Sequence, residues 1–351
     1  MKSNQTKSIG LRTGILITLA LLAIQGLAQS SYEPYTFSTL AGGSGFVSPE
    51  AAGSANLLSN PNGVAVDSGG NLYVADTFNH VIRKVSPDGR VTTLAGLPGE
   101  AGHTEGTGSG ARFFYPNDVA LDGAGNAFVA EGNHIIRKVT PEGVVTTLAG
   151  LAGSSGSADG TGSGARFFEP HSLTVDSAGN VYVADFINST IRKITPDGVV
   201  TTLAGRTGIF GSANGIGGAA RFNAPQGIAV DNSGNLYVSD TDNATIRKVT
   251  AVGTNWVVTT LAGLARNPGS ADGTGNAARF SGPFDVAVDS AGNLYVADGG
   301  NNIIRKVIPV GTNWVVTTAA GLGGFFQSFL PHPHALMSGW RPQMLAANTA
   351  H

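Results

Sequence analysis

The stretch GNLYVAD at residues 70–76, followed by Asn79 and by IRK at residues 82–84, decides the fold of this chain because it recurs. Close copies occupy residues 179–193, 234–248 and 292–306, and an altered copy occupies residues 125–138. An Asp stands three residues before every copy, at Asp67, Asp122, Asp176, Asp231 and Asp289. The five Asp residues are 55, 54, 55 and 58 positions apart, and a long fixed period indicates stacked or circular repeats.

One repeat predicts four β-strands. In the third copy, alternation and turn residues place strands at 172–175, 181–184, 190–194 and 199–203. The turns between them are the Asp- and Gly-containing segments 176–180 and 196–198. Helical periodicity is missing from the repeats, and four antiparallel strands per repeat of this length are typical of a propeller blade.

These motifs resemble the NHL repeat, and the resemblance covers residues 36–321. It implies an all-β fold, a β-propeller of four-stranded antiparallel NHL-type blades around a central channel. Each motif is moderately specific by itself, but five copies in register make a strong pattern.

The number of blades has two interpretations. A sequence of the type TTLAG, which predicts the outer strand of a blade, occurs six times, first at residues 36–42. The sequences of the three inner strands occur only five times. We therefore expect a six-blade design in which residues 36–42 are an N-terminal outer strand that locks the ring and the last blade is degenerate or missing. A closed five-blade ring with a spare strand is the alternative. Residues 322–351 read as an irregular tail, and we interpret its His332, His334 and His351 as part of a disordered terminus, not a metal site.

The first thirty residues have the pattern of a secretory signal peptide. Lys2, Lys7 and Arg12 precede an apolar run at residues 14–24, and small residues follow near Ser30. No second run of this kind follows, so we expect a secreted or periplasmic mature chain without a membrane span. The chain has no Cys, which excludes thiolate chemistry and favours a bacterial source for an exported protein of this length.

Charge composition argues against a nucleic-acid partner. The chain has 21 Lys and Arg against 23 Asp and Glu, a formal net charge of −2. Nucleic-acid binding depends on neutralising phosphates with basic side chains, and this chain has no basic excess for that purpose. We expect protein or polysaccharide partners instead.

A carboxylate and an Arg recur in every copy, and we interpret both as structural. A carboxylate at this position can accept hydrogen bonds from backbone amides and from the Arg fork across the hairpin. Catalysis usually needs one special blade, not five equivalent ones. The residues are Asp76, Glu131, Asp185, Asp240 and Asp298, with Arg83, Arg137, Arg192, Arg247 and Arg305. The second copy has Glu131 and one residue fewer before its Arg, so its hairpin should differ in shape.

The linkers between repeats carry a second recurring pair. An acidic or amide residue precedes an Arg by seven positions in each, as Asp159 precedes Arg166. We expect a local latch between the two, because one carboxylate per loop is too few for Ca²⁺.

Candidate binding residues stand where the repeats differ at a constant position. The two positions after the first Pro of each repeat enter the innermost strand, so their side chains should ring one mouth of the channel. The candidates are Asn62, Asn117, Asp118, His171, Gln226, Phe284 and Asp285. Asp118, His171 and Asp285 could also supply ligands to one divalent cation such as Ca²⁺ or Zn²⁺, as related propeller lactonases and lyases use a channel ion. Asn, Asp and His after Pro are also ordinary turn residues.

The most consistent function is a monomeric binding or scaffold module that needs no cofactor, because no catalytic set stands out. A channel-centred, metal-dependent hydrolase or lyase of the lactonase-like type is the first alternative, and a structural envelope protein is the second. Trp256 and Trp314 occupy corresponding positions in the last two copies. They read either as a surface pair that stacks on a sugar or peptide, or as covers for neighbouring blades.

Overall fold

The computed structural model describes residues 58–321. The predicted signal peptide (1–30), the predicted locking strand (36–42) and the predicted tail (322–351) lie outside the described residues. Within them, every regular element is a β-strand or a three-residue 3-10 turn, which confirms the predicted all-β class. No helix in this part of the chain has the length and apolarity to span a bilayer.

The strands form five successive blades. Blade 1 contains β1 (Pro61–Val66), β2 (Leu72–Asp76), β3 (Val81–Val85) and β4 (Val91–Ala95). Blade 2 contains β5 (Gly106–Thr107), β6 (Pro116–Leu121), β7 (Ala127–Glu131), β8 (Ile135–Val139) and β9 (Val144–Gly150). Blade 3 contains β10 (Gly160–Thr161), β11 (Pro170–Val175), β12 (Val181–Asp185), β13 (Thr190–Ile194) and β14 (Val199–Gly205). Blade 4 contains β15 (Gly215–Ile216), β16 (Pro225–Val230), β17 (Leu236–Asp240), β18 (Thr245–Val252) and β19 (Asn255–Ala262). Blade 5 contains β20 (Gly273–Thr274), β21 (Pro283–Val288), β22 (Leu294–Asp298), β23 (Ile303–Val310) and β24 (Asn313–Ala320).

The long strands of each blade pair antiparallel in chain order, as the sequence predicts. In blade 3 the register brings Val183 opposite both Leu173 and Arg192. The sequence interpretation missed a short fifth strand, which pairs with the outer strand of blades 2 to 5. In blade 3, Gly160 lies opposite Val200 in this pairing. Two residues are too few to show an alternating pattern, so these strands could not be predicted from periodicity.

The hydrophobic cores lie between blades, not within them. Side chains alternate along each strand, so each blade presents one apolar face to the preceding blade and one to the following blade. We call these its rear face and its forward face. Between blades 3 and 4, forward-face residues such as Tyr182 and Ile191 form one cluster with rear-face residues such as Phe222 and Ile228. Equivalent clusters join blades 1 and 2, 2 and 3, and 4 and 5.

The innermost strands pack on one another in sequence. β1 packs on β6, β6 on β11, β11 on β16 and β16 on β21. Within residues 58–321, β21 and β1 form no comparable contact, and no hydrophobic cluster joins blade 5 to blade 1. The described blades therefore share four apolar interfaces.

Candidate functional site at the channel mouth

The start of each innermost strand and the hairpin between the second and third strands lie at the same end of a blade. The register shows this directly, because Pro61 is opposite Asp76, and Pro170 is opposite Asp185. We call this end of the five blades the hairpin face. Its hairpins are residues 77–80, 132–134, 186–189, 241–244 and 299–302.

A buried ionic network supports each hairpin. In blade 3, Asp185 Oδ1 accepts a hydrogen bond of 2.8 Å from the backbone N–H of Phe168. Its Oδ2 accepts bonds of 2.8 Å from Asn188 Nδ2 and from Arg192 Nη1. The Asp185 and Arg192 side chains are both fully buried. Burial raises the pKa of Asp185 to about 6, while the positive charge of Arg192 opposes this increase. Since every partner is internal, this network orders the blade and offers little to a ligand.

The same network recurs in the other blades. Asp76, Asp240 and Asp298 each bond to the Asn three positions on and to the Arg seven positions on. In blade 2, the longer Glu131 compensates for the shorter hairpin. Its Oε1 accepts from Arg137 Nη1 at 3.0 Å and its Oε2 from the Phe114 N–H at 2.9 Å. Burial raises the pKa of Glu131 to about 8 against the lowering effect of Arg137.

The predicted latch between each linker residue and the Arg seven positions later is wrong. Asp159 Oδ1 instead lies 2.8 Å from Nη2 of the buried Arg192. Arg166 donates to the carbonyl oxygens of Ser163 and Ala165, because its side chain folds back over the preceding 3-10 turn. The same exchange of partners joins Asn214 to Arg247 and Asp272 to Arg305. In these three blades the linker residue precedes its Arg partner by 33 positions, and this constant spacing could have identified the pairs from the sequence.

Each innermost strand begins with Pro, and the residue two positions after this Pro is small or acidic. Residues at this position in neighbouring blades contact one another. Asp118 Oδ2 accepts a hydrogen bond of 2.7 Å from Ser172 Oγ and one of 3.0 Å from the Leu173 N–H in the next blade. The hydroxyl of Ser172 also accepts from the Ile228 N–H at 3.4 Å. The set is Gly63, Asp118, Ser172, Gly227 and Asp285.

Each Asp of this set packs against a Gly of the preceding blade. A Cβ atom built on Gly63 would lie 2.5 Å from Asp118 Cα, and one built on Gly227 would lie 2.5 Å from Asp285 Cα. Real Cβ atoms do not approach a backbone carbon so closely, so only Gly fits at these two positions. The Gly-then-Asp order on consecutive blades is therefore a packing requirement, and it brings the two carboxylates to the channel.

The two carboxylates influence one another electrostatically. Burial raises the pKa of Asp118, and hydrogen bonds from Leu173 and Ser172 oppose the increase. The pKa of Asp285 is raised by burial and by the negative charge of Asp118. Asp285 is exposed to solvent, and this solvent moderates the increase in its pKa. We expect the pair to hold a proton at a higher pH than ordinary carboxyl groups do.

The first residues after Pro have different surroundings in the five blades and do not meet at a shared centre. Asn117 is buried and donates to the Pro170 carbonyl at 3.3 Å. The His171 ring lies 5.8 Å from the Phe186 ring in its own hairpin. Phe284 lies against Gly299, where an added Cβ would meet its ring at 2.2 Å. Asn62 is exposed and Gln226 is half-buried. The structure thus places Asp118 and Asp285 within range of each other's charge and directs His171 and Phe284 towards the hairpins.

The alternative metal set of three residues is not assembled in residues 58–321. No group of three or more His, Asp or Glu side chains in residues 58–321 is arranged to hold a metal ion. Two carboxylates fall short of the three protein ligands that a catalytic Zn²⁺ site uses and of the six or more oxygens that Ca²⁺ prefers. The described residues therefore do not fit a divalent cation held by Asp118, His171 and Asp285.

Aromatic side chains cluster on the hairpin face where blades 1 and 2 meet. The Tyr115 ring centroid lies 6.0 Å from that of Phe78 and 4.6 Å from that of His80, both in edge-on geometry. Between blades 2 and 3, His134 packs on Phe168 at 5.5 Å. Phe78 is partly exposed, so aromatic surface is accessible at this end of the molecule.

The hairpin histidines also join neighbouring blades. His80 Nδ1 accepts a hydrogen bond from the Tyr115 N–H at 3.2 Å, and His134 Nδ1 accepts from the Glu169 N–H at 3.1 Å. Blade 3 uses Ser189 Oγ for the same purpose, at 3.3 Å from the Ala224 nitrogen. An imidazole nitrogen can accept only when it is unprotonated, and burial lowers the pKa of both histidines. These hairpin contacts therefore require neutral imidazole.

The two Trp side chains cover neighbouring blades and do not form a surface pair. Trp256 of blade 4 packs edge-on against Tyr182 of blade 3 at 6.1 Å, and Trp314 of blade 5 packs against Tyr237 of blade 4 at 6.0 Å. Both Trp side chains are half-buried beside the inter-blade cores.

The repeats and blades define the class of this protein, an NHL-repeat β-propeller. The NHL repeat family model matches residues 58–84, 167–194 and 222–249. The chain is 30% identical to the Arabidopsis thaliana chloroplastic protein SUPPRESSOR OF QUENCHING 1, over 70% of this chain and 25% of that protein. It is 28% identical to human NHL repeat-containing protein 2, over 75% of this chain and 40% of that protein. The chain thus spans less than half of these two relatives.

Solved structures share the fold. An auxiliary nutrient binding protein from Bacteroides ovatus superposes with a TM-score of 0.55 at 19% identity. The match covers 71% of this chain and 59% of that protein. Sequence identity at this level indicates a common fold and does not indicate a common ligand.

Proposed function

We propose that this chain is an extracytoplasmic NHL-repeat propeller that acts as a binding or scaffold module for a protein or polysaccharide. The observation that carries the proposal is the contrast between the buried and the accessible polar groups. The Asp–Arg networks are identical in role from blade to blade and engage internal partners. The hairpin face differs from blade to blade and combines accessible aromatic rings with the Asp118–Asp285 pair.

The chemistry of the hairpin face suits an extended ligand. Aromatic rings such as Phe78 and Phe186 offer flat apolar surface on which a sugar ring or an apolar side chain can pack. The carboxylates at the channel mouth accept hydrogen bonds and attract positive charge. A peptide with a basic side chain or a polysaccharide rich in hydroxyl donors would satisfy both features. Blade 4 contributes Asn223, Ala224 and Gln226 to this face, so the aromatic surface is concentrated elsewhere.

The Asp118–Asp285 pair favours a second candidate, a channel-centred hydrolase or lyase that uses a divalent cation. Carboxylates with raised pKa values in a cleft are typical of functional sites. This candidate ranks second because the described residues do not assemble a ligand set for the cation.

The experiment compares hairpin-face variants with a variant at the opposite end of the blades. Phe78→Ala, Phe186→Ala and Asp285→Asn proteins would be tested on immobilised polysaccharides and on arrays of basic and acidic peptides. Val252→Ser is the matched control, because exposed Val252 ends β18 at the end away from the hairpin face. We expect the three variants to lose binding that the control retains.

Two outcomes would contradict the binding proposal. One is ligand binding that is equal in all four variants, which would place the site elsewhere. The other is lactone or ester hydrolysis that depends on added Ca²⁺ or Zn²⁺ and disappears in Asp285→Asn, which would favour the enzyme. Export is tested separately, by comparing the cellular fractions that contain the full chain and a chain without residues 1–30.

A further inference from the structure

The four apolar interfaces between blades show what a blade face requires as a partner. The forward face of each of blades 1 to 4 includes an Ile in the third long strand that is completely buried, namely Ile82, Ile136, Ile191 and Ile246. Every rear face that receives it includes a buried aliphatic residue in the innermost strand, namely Val119, Leu173, Ile228 and Val286. The two kinds of face are therefore complementary in shape and in apolar character.

The forward face of blade 5 lacks this cover. Ile304 is the equivalent of the four buried Ile residues, yet it is 36% exposed, whereas Ile246 in blade 4 is 0% exposed. Ala287 of the innermost strand is also exposed, whereas its equivalent Ala229 is buried. The exposure covers two strands of the same face and is not a single surface residue.

The rear face of blade 1 is open in the same way. Val64 is 61% exposed, whereas its equivalents Val119 and Leu173 are at most 3% exposed. Val66, two residues further along the same face, is 63% exposed. Both lie on the innermost strand, so their partners in an ordinary interface would come from the inner strands of a preceding blade.

Both halves of one more interface are thus present on a single chain, at opposite ends of the row of blades. The sequence of residues 36–42 is of the outer-strand type, whereas Val64 and Val66 need inner-strand partners. Apolar faces of this kind are unfavourable in water, and the best available complement to each is the face at the other end of a second molecule.

We propose that a second copy of this chain occupies these faces, so that the forward face of blade 5 in one copy packs on the rear face of blade 1 in the other. Such a contact is heterologous, because each copy contributes a different surface. The contact between the two copies has the same geometry as the four interfaces between blades within one chain. The resulting self-association replaces the monomer that the sequence alone predicts, and it does not depend on the proposed ligand.

The test uses two charge variants and their mixture. Val64→Lys disables the rear face of blade 1 and leaves the forward face of blade 5 intact, and Ile304→Lys does the opposite. Sedimentation velocity and light scattering would be measured over a wide range of protein concentration. We expect the wild type to gain mass with concentration and each variant alone to stay monomeric. An equimolar mixture of the two variants should stop at twice the monomer mass, since only one intact face of each kind remains.

Controls distinguish this contact from nonspecific aggregation and from misfolding. Val252 is 57% exposed at the end of β18, away from the hairpin face and from both faces of the proposed contact. The Val252→Lys protein should therefore associate as the wild type does. In a Trp340→Phe background, the fluorescence of Trp256 and Trp314 should be unchanged in all variants if the blades remain folded. A wild type that stays monomeric at every concentration would overturn the proposal. So would folded variants that still associate alone, or a mixture that forms no heterodimer.

Discussion

Replacing Asp185 by Ala tests how strongly the buried network supports a blade. The substitution removes an acceptor of three hydrogen bonds and takes away one of the two carboxylates that lie 2.8 Å from the fully buried Arg192 guanidinium, the buried one. Removing one partner of a buried pair typically costs about 3–5 kcal/mol. Arg192 keeps the half-exposed carboxylate of Asp159, so we expect a loss in the free energy of unfolding of about 2–4 kcal/mol.

Asp76→Ala in blade 1 is the matched comparison. Asp76 occupies the equivalent position and accepts from the Ser59 N–H, Asn79 and Arg83. Its Arg83, however, is 13% exposed, so water can solvate the guanidinium after the carboxylate is removed. Since no fully buried charge is left uncompensated, we expect a smaller cost of about 1–2 kcal/mol.

The assay is urea unfolding followed by Trp fluorescence, with both substitutions in a Trp340→Phe background. Trp256 packs on Tyr182 in blade 3 and Trp314 on Tyr237 in blade 4, so both report on inter-blade packing. An unchanged slope of free energy against urea would show that the unfolding transition is the same in each protein. Equal losses for the two variants, or a larger loss for Asp76→Ala, would refute the link between Arg burial and cost.

Three further predictions concern the hairpins and the channel. The folded pKa of His134 is lowered, so the stability it contributes is present above the unfolded value of 6.5 and is lost as pH falls below it. His134→Ser, which copies Ser189, should reduce this loss in thermal melts between pH 7 and 5, and an unchanged pH profile would contradict the role of Nδ1. Gly227→Ala should destabilise the protein by about 2 kcal/mol because its methyl group would meet the Asp285 backbone. Gly110→Ala, with no atom within 4 Å of the added methyl group, is its control, and equal urea midpoints would refute the packing argument. The folded pKa of Asp285 is raised, so the wild type should lose stability as pH rises through that raised pKa. Asp285→Asn should show a smaller loss in melts taken across this range, and identical slopes for the two proteins would contradict a pKa of Asp285 raised by burial and by Asp118.

The fold could be predicted from the sequence because each long strand carries its own alternation and turn residues. The strands predicted at 181–184 and 190–194 lie at Val181–Asp185 and Thr190–Ile194. The two-residue strands could not be predicted, since pairing to an outer edge leaves no periodic pattern in two residues.

The site was only partly predictable. Proximity between Asp118 and Asp285 follows from their common repeat position, and equal spacing identifies the Asp–Arg partners within a hairpin. The direction of His171 depends on the Phe186 ring in its own hairpin, which its position after Pro does not indicate. The partner of Asp159 was missed because Arg192, 33 residues away, is closer in space than Arg166, seven residues away.

Sharing each core between two blades makes the free energy of this architecture a property of junctions, not of repeats. Five blades in a row contain four junctions, so the gain or loss of a terminal repeat changes the number of junctions by one. A repeat that closes the circle is different, because it touches both ends and adds two junctions at once. The last blade of such a circle therefore contributes about twice the stabilisation of any blade added before it. Gene duplication that lengthens a propeller thus gains most at the step that completes the ring.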